Sequence, residues 1–365
     1  MFLRGIKTIK NKEKFMKQIF KISLAAFLLL LFVNCNEVEK RNDPVSLLLS
    51  AVSDPSILDQ KDNSHDSSRI ILQIPVYVDS RGGNDSNSGT PSSPFKSITK
   101  ALSKSYKLIY VAPGIYSEYE TFPLIIPDNT KLIGDEAGKG LVGGTGSAYG
   151  GTGSTPRLGE TVIINFSGTD SAPLTSRTVV LGNNSTIAGF RIENDDSKLI
   201  NTRCAVCLED KIGTIIRNNS ISTLQPDRNG SGIYISGNGG SHSIIGNHFT
   251  RITYSINEVS QTYRSKVEYN LFQQVRFAAV VRVGNLDLGG GGLSAGENTF
   301  RCYNFTSQIL TEGLPGVNVF ARNNIWGHIP IQQTTNINDM YKDIVNLNNS
   351  IILTDQAVKD TVNCL

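Results

Sequence analysis

Two adjacent acidic residues are the first candidates for chemistry in this 365-residue chain. The stretch Asn194-Asp195-Asp196 could supply paired carboxylates, one acting as general acid and the other as base or nucleophile in glycoside hydrolysis. Neighbouring residues of a strand point to opposite faces, however, so on a strand these two carboxylates would not converge. No Gly-His-Gly stretch accompanies them. Asp195 and Asp196 are therefore weak candidates, and the sequence assigns no catalytic residue.

The five cysteines suggest anchoring and stapling rather than redox or metal chemistry. Cys204 and Cys207 have the spacing of a redox or zinc motif, but no thioredoxin-like pattern surrounds them and no second pair completes a zinc site. We predict that this pair has a structural role or none, and we predict no metal site and no cofactor. Outside the cytoplasm the four cysteines after Cys35 could form two disulfides, and Cys302–Cys364 is one candidate pairing.

The N-terminal region has the organisation of an export signal. Lys17 and Lys21 precede an apolar run, residues 22–33, that is too short to span a bilayer comfortably. The run ends at Cys35 in "LFVNC", which resembles a bacterial lipoprotein signal in the relaxed form that tolerates Asn before the cysteine. We expect a cleaved signal and a lipid on Cys35. An uncleaved membrane anchor is the alternative.

This interpretation divides the first part of the chain and changes its charge. Residues 1–34 form the signal, with Met16 as a candidate true start, and residues 35–69 form a flexible tether. Cleavage removes seven basic residues and one acidic residue, so the formal net charge changes from +3 to about −3. Nothing electrostatic then favours nucleic acid as a partner. We expect a lipid-anchored protein of the cell envelope, most simply at the outer membrane.

A self-similar unit recurs from residue 186 onward and indicates a β-solenoid. Segments such as "IIRNNSI" and "SIIGNHF" align at spacings of 23 to 29 residues and have strand-like content. The aligned corner position holds Phe190 in the first unit and asparagine in the others. Asn tolerates the left-handed conformation of a bend, and stacked amides can hydrogen-bond along the solenoid axis. We predict an asparagine ladder made of Asn219, Asn247, Asn270, Asn298 and Asn323.

Large apolar residues recur two positions after each corner. Period-2 alternation places such residues on the buried side of short strands. The predicted core column consists of Ile192, Ile221, Phe249, Phe272, Phe300 and Ile325. A β-sandwich with coincidental asparagines is the alternative, because Asn229-Gly230 and Asn238-Gly239 are candidate hairpin turns.

A short amphipathic segment precedes the repeats and suits the end of a solenoid. Ser93 is a candidate N-cap with Pro94 at the first helical position, and apolar residues follow at helical spacing to about Ser105. The glycine-rich loop before it lacks both phosphate-binding patterns. Because the first coil of a solenoid leaves its core open to water, we predict that this helix closes it. Residues 331–365 are expected to form a C-terminal cap or tail.

The segment 76–136 resembles the start of a bacterial domain-of-unknown-function family found in exported β-helix proteins. The matching pieces, in order, are Tyr77-Val78, Gly83-x-Asp85, Gly89-Thr90, Pro94-Phe95-x-x-Ile98, Ala101, Ala112-Pro113-Gly114-x-Tyr116-Ser117, Glu120-Thr121-Phe122-Pro123 and Leu132-Ile133-Gly134. The resemblance implies an all-β fold: a single-stranded, right-handed, parallel β-helix of pectate-lyase-like form over residues 70–330, with a short N-terminal capping helix. It implies no activity.

Two classes of function follow from these observations. The first is a surface or periplasmic lipoprotein that binds carbohydrate or host and matrix components, with the membrane as a partner through Cys35. The second is a carbohydrate-active enzyme, a polysaccharide lyase or glycoside hydrolase, acting in a groove along the β-helix. The missing acid constellation favours binding. Arginines that recur about once per coil, among them Arg217 and Arg301, could form a stripe for acidic glycans or be ordinary surface charges.

Overall fold

The computed structural model describes residues 74–138, 159–166, 177–194, 204–223, 230–302, 308–313, 315, 317–327, 329–339, 342–348, 350–354 and 358–362. They belong to one compact unit, residues 71–365. In this part of the chain there is one helix, α1 (Ile98–Ser103), and the strands form three sheets. The predicted signal, the predicted lipidation site Cys35 and the predicted tether all lie outside the described residues. No helix in the described ranges is long and apolar enough to cross a bilayer.

From β2 (Leu108–Val111) to β24 (Ile325–Trp326), successive strands belong to sheets 1, 2 and 3 in turn, so each coil contributes one strand to each sheet. Sheet 1 contains β1 (Val76–Val78), β2 (Leu108–Val111), β5 (Lys131–Ile133), β8 (Thr186–Ala188), β11 (Ile215–Arg217), β14 (Ser243–Ile245), β17 (Ser265–Glu268), β20 (Leu286–Asp287), β23 (Asn318–Phe320) and β27 (Ile351–Leu353). Sheet 2 contains β3 (Gly114–Tyr116), β6 (Thr161–Asn165), β9 (Arg191–Asn194), β12 (Ser220–Thr223), β15 (His248–Thr250), β18 (Leu271–Gln273), β21 (Thr299–Arg301), β24 (Ile325–Trp326) and β28 (Val358–Lys359).

Sheet 3 completes the coil. It contains β4 (Leu124–Ile126), β7 (Arg177–Leu181), β10 (Cys204–Glu209), β13 (Ser231–Ser236), β16 (Tyr254–Glu258), β19 (Phe277–Val281), β22 (Ile309–Thr311), β26 (Ile344–Asn346) and β25 (Gln333–Thr334). Neighbouring strands in each sheet are parallel, as in the pairs β11–β14, β12–β15 and β13–β16. The predicted parallel β-helix is therefore confirmed, and the β-sandwich alternative is wrong because a sandwich is built from antiparallel strands.

An asparagine ladder runs through the corner between sheets 1 and 2. Each amide Nδ2 donates to the Oδ1 of the next asparagine at 3.0–3.1 Å, and the members are Asn219, Asn247, Asn270, Asn298 and Asn324. The last member is Asn324, so the prediction of Asn323 is off by one residue. Nor do the ladder residues adopt the left-handed conformation. The residue before each does, including Asn218, Tyr269, Glu297 and Asn323, with φ between 53° and 58°.

The predicted core column is present in sheet 2, with one correction that has the same cause. Ile192, Ile221, Phe249, Phe272 and Phe300 are fully buried. In the last coil the buried residue is Trp326, and Ile325 is only half-buried, because the corner lies one residue later than predicted. Phe249 and Phe272 stack with ring centroids 5.0 Å apart. Burying each such side chain stabilises the fold by roughly 1.5–3 kcal/mol.

A second, mixed ladder occupies the corner between sheets 3 and 1. Backbone hydrogen bonds align Ser185, Thr214, His242 and Ser265 in successive coils. Thr214 Oγ1 lies 2.8 Å from His242 Nδ1, and the His242 backbone N–H donates to Ser265 Oγ at 3.0 Å. The Ser265 hydroxyl in turn donates to Gln261 Oε1 at 2.8 Å. These side chains are buried, and burial lowers the pKa of His242 to about 4.

The helix α1 covers the first coil through Ile98, Ala101 and Leu102, all buried. Its N-cap is Ser97, which accepts from the Lys100 N–H, so the predicted cap at Ser93 and start at Pro94 are wrong. The reason is that the chain remains extended up to Phe95, which hydrogen-bonds with the backbone at the free edge of β1.

Two carboxylates from the family motif hold the start of this helix. Asp85 accepts the N–H groups of Lys96 and Ser97, both at 2.9 Å. Glu120 accepts those of Ile98 and Thr99, both at 2.8 Å. These bonds satisfy donors that a helix start leaves without an intrahelical partner.

The solenoid continues beyond residue 330. Strands β25, β26, β27 and β28 join the three sheets, so the stretch expected to be a cap or tail contains further coil strands. The repeat was not recognised in this stretch of the sequence because its apolar segments are short and are separated by polar turns. Cys302 is disulfide-bonded, and its predicted partner Cys364 lies outside the described residues.

Candidate functional site on the outer face of sheet 3

The strands of sheet 3 share a local irregularity that brings residues three positions apart onto one face. Regular pairing is interrupted at Ala205 and at the corresponding residues of the next strands. As a result the Cα atoms of Cys204 and Cys207 are 5.6 Å apart, and the two cysteines form a disulfide. Phe277 and Val280 likewise belong together to an apolar cluster outside the main core. The predicted structural role of the cysteine pair thus has a geometric basis.

A polar cluster, named here the Asn257 cluster, lies on this outer face. It comprises Ser231, Tyr234, Asn257, Arg282 and Glu312. Arg282 Nη1 donates to Asn257 Oδ1 at 2.6 Å, and Asn257 Nδ2 donates to Ser231 Oγ at 3.1 Å. Arg282 also lies 3.4 Å from Glu312, with their side chains 28% and 38% exposed. Tyr234 is the register neighbour of Asn257 on the adjacent strand and is half-buried.

A buried carboxylate fixes the position of Arg282. Glu258 Oε2 accepts the backbone N–H groups of Arg282 and Val283 at 2.8 and 3.1 Å. Burial raises the pKa of Glu258, and the two N–H donors oppose that rise. Its other oxygen has no hydrogen-bond partner among the described residues. Glu258 is the register neighbour of the buried Ile235, so its side chain lies on the core side of sheet 3. We therefore regard it as a positioning residue rather than as one that touches a ligand.

Aromatic side chains adjoin the Asn257 cluster. Tyr254 and Phe277, on neighbouring strands, stack with ring centroids 5.7 Å apart and planes within 9°. The Arg276 guanidinium carbon lies 5.5 Å from the Phe277 ring centroid. Tyr254 is half-buried and packs on the cluster of Phe277, Val280, Leu310 and Val345. Phe277, Val280, Leu310 and Val345 are buried, so Tyr254 is the ring of this group that is partly exposed. A partly exposed aromatic side chain next to polar groups is typical of small-molecule and glycan sites.

The charges on this face are paired. Arg177 donates two hydrogen bonds to Glu209 at 2.7 and 2.6 Å, and Arg282 faces Glu312. The bidentate Arg177–Glu209 pair is well oriented, and both pairs leave little unbalanced charge for a ligand.

Asn257 and Ser231 are buried and hydrogen-bond within the cluster. The groups that this face presents to solvent are therefore those of Arg282 and Glu312, next to the partly exposed rings of Tyr234 and Tyr254. The arrangement does not place two carboxylates together for acid–base chemistry.

The predicted site residues fall in several places. Asp195 and Asp196 lie outside the described residues. Arg217 pairs with Glu136 on sheet 1 and Arg301 with Asp360 on sheet 2, so these arginines do not form one stripe. Within the described ranges no group of three His, Cys, Asp or Glu residues could hold a metal ion.

Sequence reasoning missed the Asn257 cluster. Its members come from four coils at unequal spacing and differ in type, so they produce no repeat signal. The only local hint was "SINE" (255–258), where polar residues follow an apolar one in a segment otherwise typical of a strand.

The structure defines a class of protein: a parallel β-helix whose first coil is covered by a short helix, with a cluster of polar and aromatic residues on the outer side of sheet 3. The chain matches the family model described as "Protein of unknown function (DUF1565)" over residues 81–333, and it belongs to that family. The family resemblance found in the sequence is thereby confirmed. A search of curated proteins finds no match.

Solved structures resemble the chain at low identity. Pectate lyase Bsp165PelA from Bacillus sp. N165, in complex with trigalacturonate, is 13% identical with a TM-score of 0.42, covering 78% of this chain and 82% of its own. Pectate lyase Pel9A is 12% identical with a TM-score of 0.43, covering 79% and 78%. PfbA, a surface adhesin of Streptococcus pneumoniae, is 13% identical with a TM-score of 0.27, covering 71% and 75%.

Proposed function

We propose that this protein is an exported, lipid-anchored β-helix protein that binds carbohydrate, including glycans of host or matrix components, through the outer face of sheet 3. The observation that carries the proposal is the Asn257 cluster beside the Tyr254–Phe277 stack. Sugar rings present hydroxyl groups and apolar C–H faces, which match guanidinium and carboxylate groups next to aromatic rings. A rigid sheet holds these groups in place before the ligand arrives, which reduces the entropic cost of binding.

The charge balance of the face favours a neutral glycan. Arg177 and Arg282 each have a carboxylate partner, so an acidic sugar would have to displace Glu209 or Glu312. Separating such a pair leaves a carboxylate without its partner and costs free energy. Neutral sugars can instead accept from Arg282 and donate to Glu312 while the pair stays in contact.

Binding is tested with a panel of neutral and acidic glycans and the purified protein. We expect saturable binding to neutral glycans, weakened about tenfold or more by Arg282→Ala, since hot-spot truncations cost at least 1–2 kcal/mol. Asn257→Ala should also weaken binding, because the buried Asn257 accepts from Arg282 and holds its guanidinium in place. The matched control is Gln273→Ala on the outer face of sheet 2, which should bind like the wild type. Equal affinity of the Arg282→Ala and Gln273→Ala variants, or no binding by the wild type, would refute the site.

The enzymatic alternative has its own readout. Reducing-sugar and unsaturated-product assays on the same panel should show no turnover if the protein only binds. Clear turnover that Asp196→Asn abolishes would establish a carbohydrate-active enzyme instead.

The anchor is tested separately. Metabolic labelling with a radioactive fatty acid should label the protein, and Cys35→Ala should abolish the label. Labelling that persists in Cys35→Ala would contradict lipidation at this residue.

A further inference from the structure

The N-terminal end of the β-helix exposes several large apolar side chains. Ile115, Tyr119 and Ile125 are 60%, 58% and 58% exposed, and Ile74 is 68% exposed. β3 and β4, which carry Ile115 and Ile125, are the outermost strands of sheets 2 and 3 at this end. Single exposed apolar residues are ordinary, but several at one end of a molecule indicate an interaction surface.

One of these side chains, Ile125, also lines an apolar groove. It has a volume of about 310 Å³ and lies between α1 and β4, lined mainly by Thr99, Leu102, Ser103, Pro123, Leu124 and Ile125. Thr99 and Ser103 lie on the side of the helix away from the buried Ile98 and Leu102. The groove therefore opens beside the cap rather than into the core.

Lysines lie beside Tyr119 and on α1, the helix that forms one wall of the groove. Lys100 and Lys104 lie on the side of α1 opposite its buried residues, and the Lys96 ammonium is 3.5 Å from the centroid of the Tyr119 ring. The carboxylates next to them, Asp85 and Glu120, are bound to N–H groups at the helix start, as described above. This leaves Glu118 as an exposed acidic residue of the same loop. The surface thus combines apolar side chains with an excess of positive charge.

We propose that this end of the β-helix docks on the surface of an anionic lipid bilayer. The apolar side chains would enter the boundary between headgroups and acyl chains, and the three lysines would face anionic headgroups. Charge complementarity supports a lipid partner over a neutral one. The proposal depends neither on glycan binding nor on a lipid at Cys35.

The test uses the chain from residue 36 onward, which keeps the compact unit of residues 71–365 and lacks both the apolar run and Cys35. Cosedimentation is measured with phosphatidylcholine vesicles that either contain or lack phosphatidylglycerol. We expect binding to the anionic vesicles that weakens as salt is added. The variant Lys100→Gln/Lys104→Gln should bind about tenfold more weakly or worse, because each lysine near such a surface contributes on the order of 1 kcal/mol.

Two further variants separate the apolar contribution from general surface effects. Ile125→Ser should weaken binding to the anionic vesicles. Val358→Ser/Lys359→Gln changes an exposed valine and an exposed lysine on the outermost strand at the other end of sheet 2, and should bind like the wild type. Melting curves check that all variants are folded. Equal binding to both vesicle types, no binding to either, or wild-type binding by the lysine variant would overturn the proposal.

Discussion

The two ladder corners of this β-helix solve one problem in different ways. Both must satisfy buried polar groups in every coil where the chain turns between sheets. The asparagine ladder uses one side chain repeated five times, and its amides donate and accept along a single line. The mixed ladder joins Thr214, His242, Ser265 and Gln261. Their side chains differ in type, so each hydrogen bond joins a different pair of groups.

The comparison shows how repetition and variation affect stability. An asparagine amide has no protonation equilibrium near neutral pH, so the first ladder should be insensitive to pH. The mixed ladder contains a buried imidazole, and taking up a proton would place a positive charge on it in an environment that disfavours charge. The four predictions below test this difference, from the largest expected effect to the smallest.

Asn247→Leu should have the largest effect. Asn247 Oδ1 accepts both the backbone N–H and the amide of Asn219, and its Nδ2 donates to Asn270 and to the carbonyl of Ile216. Leucine leaves these buried groups without partners, at about 1–3 kcal/mol each. We expect the free energy of unfolding to fall by about 3 kcal/mol or more in urea titrations. Thr250→Ala, on the outer face of sheet 2, is the control, and a loss no larger than the control's would contradict a stabilising ladder.

Acidification should weaken the mixed ladder. The folded-state pKa of His242 is lowered to about 4 from an ordinary value of 6.5. The unfolded chain therefore takes up the proton first, so stability is retained above pH 6.5 and lost as the pH falls toward 4. The share due to His242 is roughly 3 kcal/mol. It is measured as the difference in unfolding free energy between the wild type and His242→Gln across this pH range. Parallel pH profiles of the two proteins would contradict the prediction.

Thr214→Val tests the partner of the same imidazole. Valine keeps the shape of threonine but removes the hydroxyl that lies 2.8 Å from His242 Nδ1. We expect a loss of about 1 kcal/mol at pH 7, the usual net value of one hydrogen bond. Ser185→Ala, one coil earlier, removes a hydroxyl that donates to the Gly182 carbonyl and serves as a reference. A thermal melting temperature equal to that of the wild type would show that the imidazole finds another partner.

The smallest effect is expected at the bend that precedes the asparagine ladder. Tyr269 has φ of 58° and is 55% exposed, so it bears left-handed strain without compensating burial. Asparagine, which occupies the same position as Asn218 in another coil, tolerates this conformation better. Tyr269→Asn should stabilise the protein by about 0.5 kcal/mol. Asn218→Tyr, the reverse exchange, should destabilise it, and effects of equal sign in both variants would contradict the explanation.

Local chemistry explains which parts of the fold were predictable from sequence. Residue types that recur at a regular spacing made three features predictable: the repeat, the first four asparagines of the ladder, and the buried apolar residues from Ile192 to Phe300. The error at Asn323 and Ile325 arose because two asparagines stand side by side, and only backbone geometry decides which one turns inward. The cap was recognised as amphipathic, but its start depended on the pairing of Phe95 with β1.

By itself, the sequence determined the parallel stacking of coils. Asparagines that recur at a nearly regular spacing can hydrogen-bond to one another only when successive coils lie above one another. Tertiary structure alone decided the Asn257 cluster, the mixed ladder and the lysine-edged groove. Their members are unlike residues from separate coils, and the forces that select them act across space rather than along the chain.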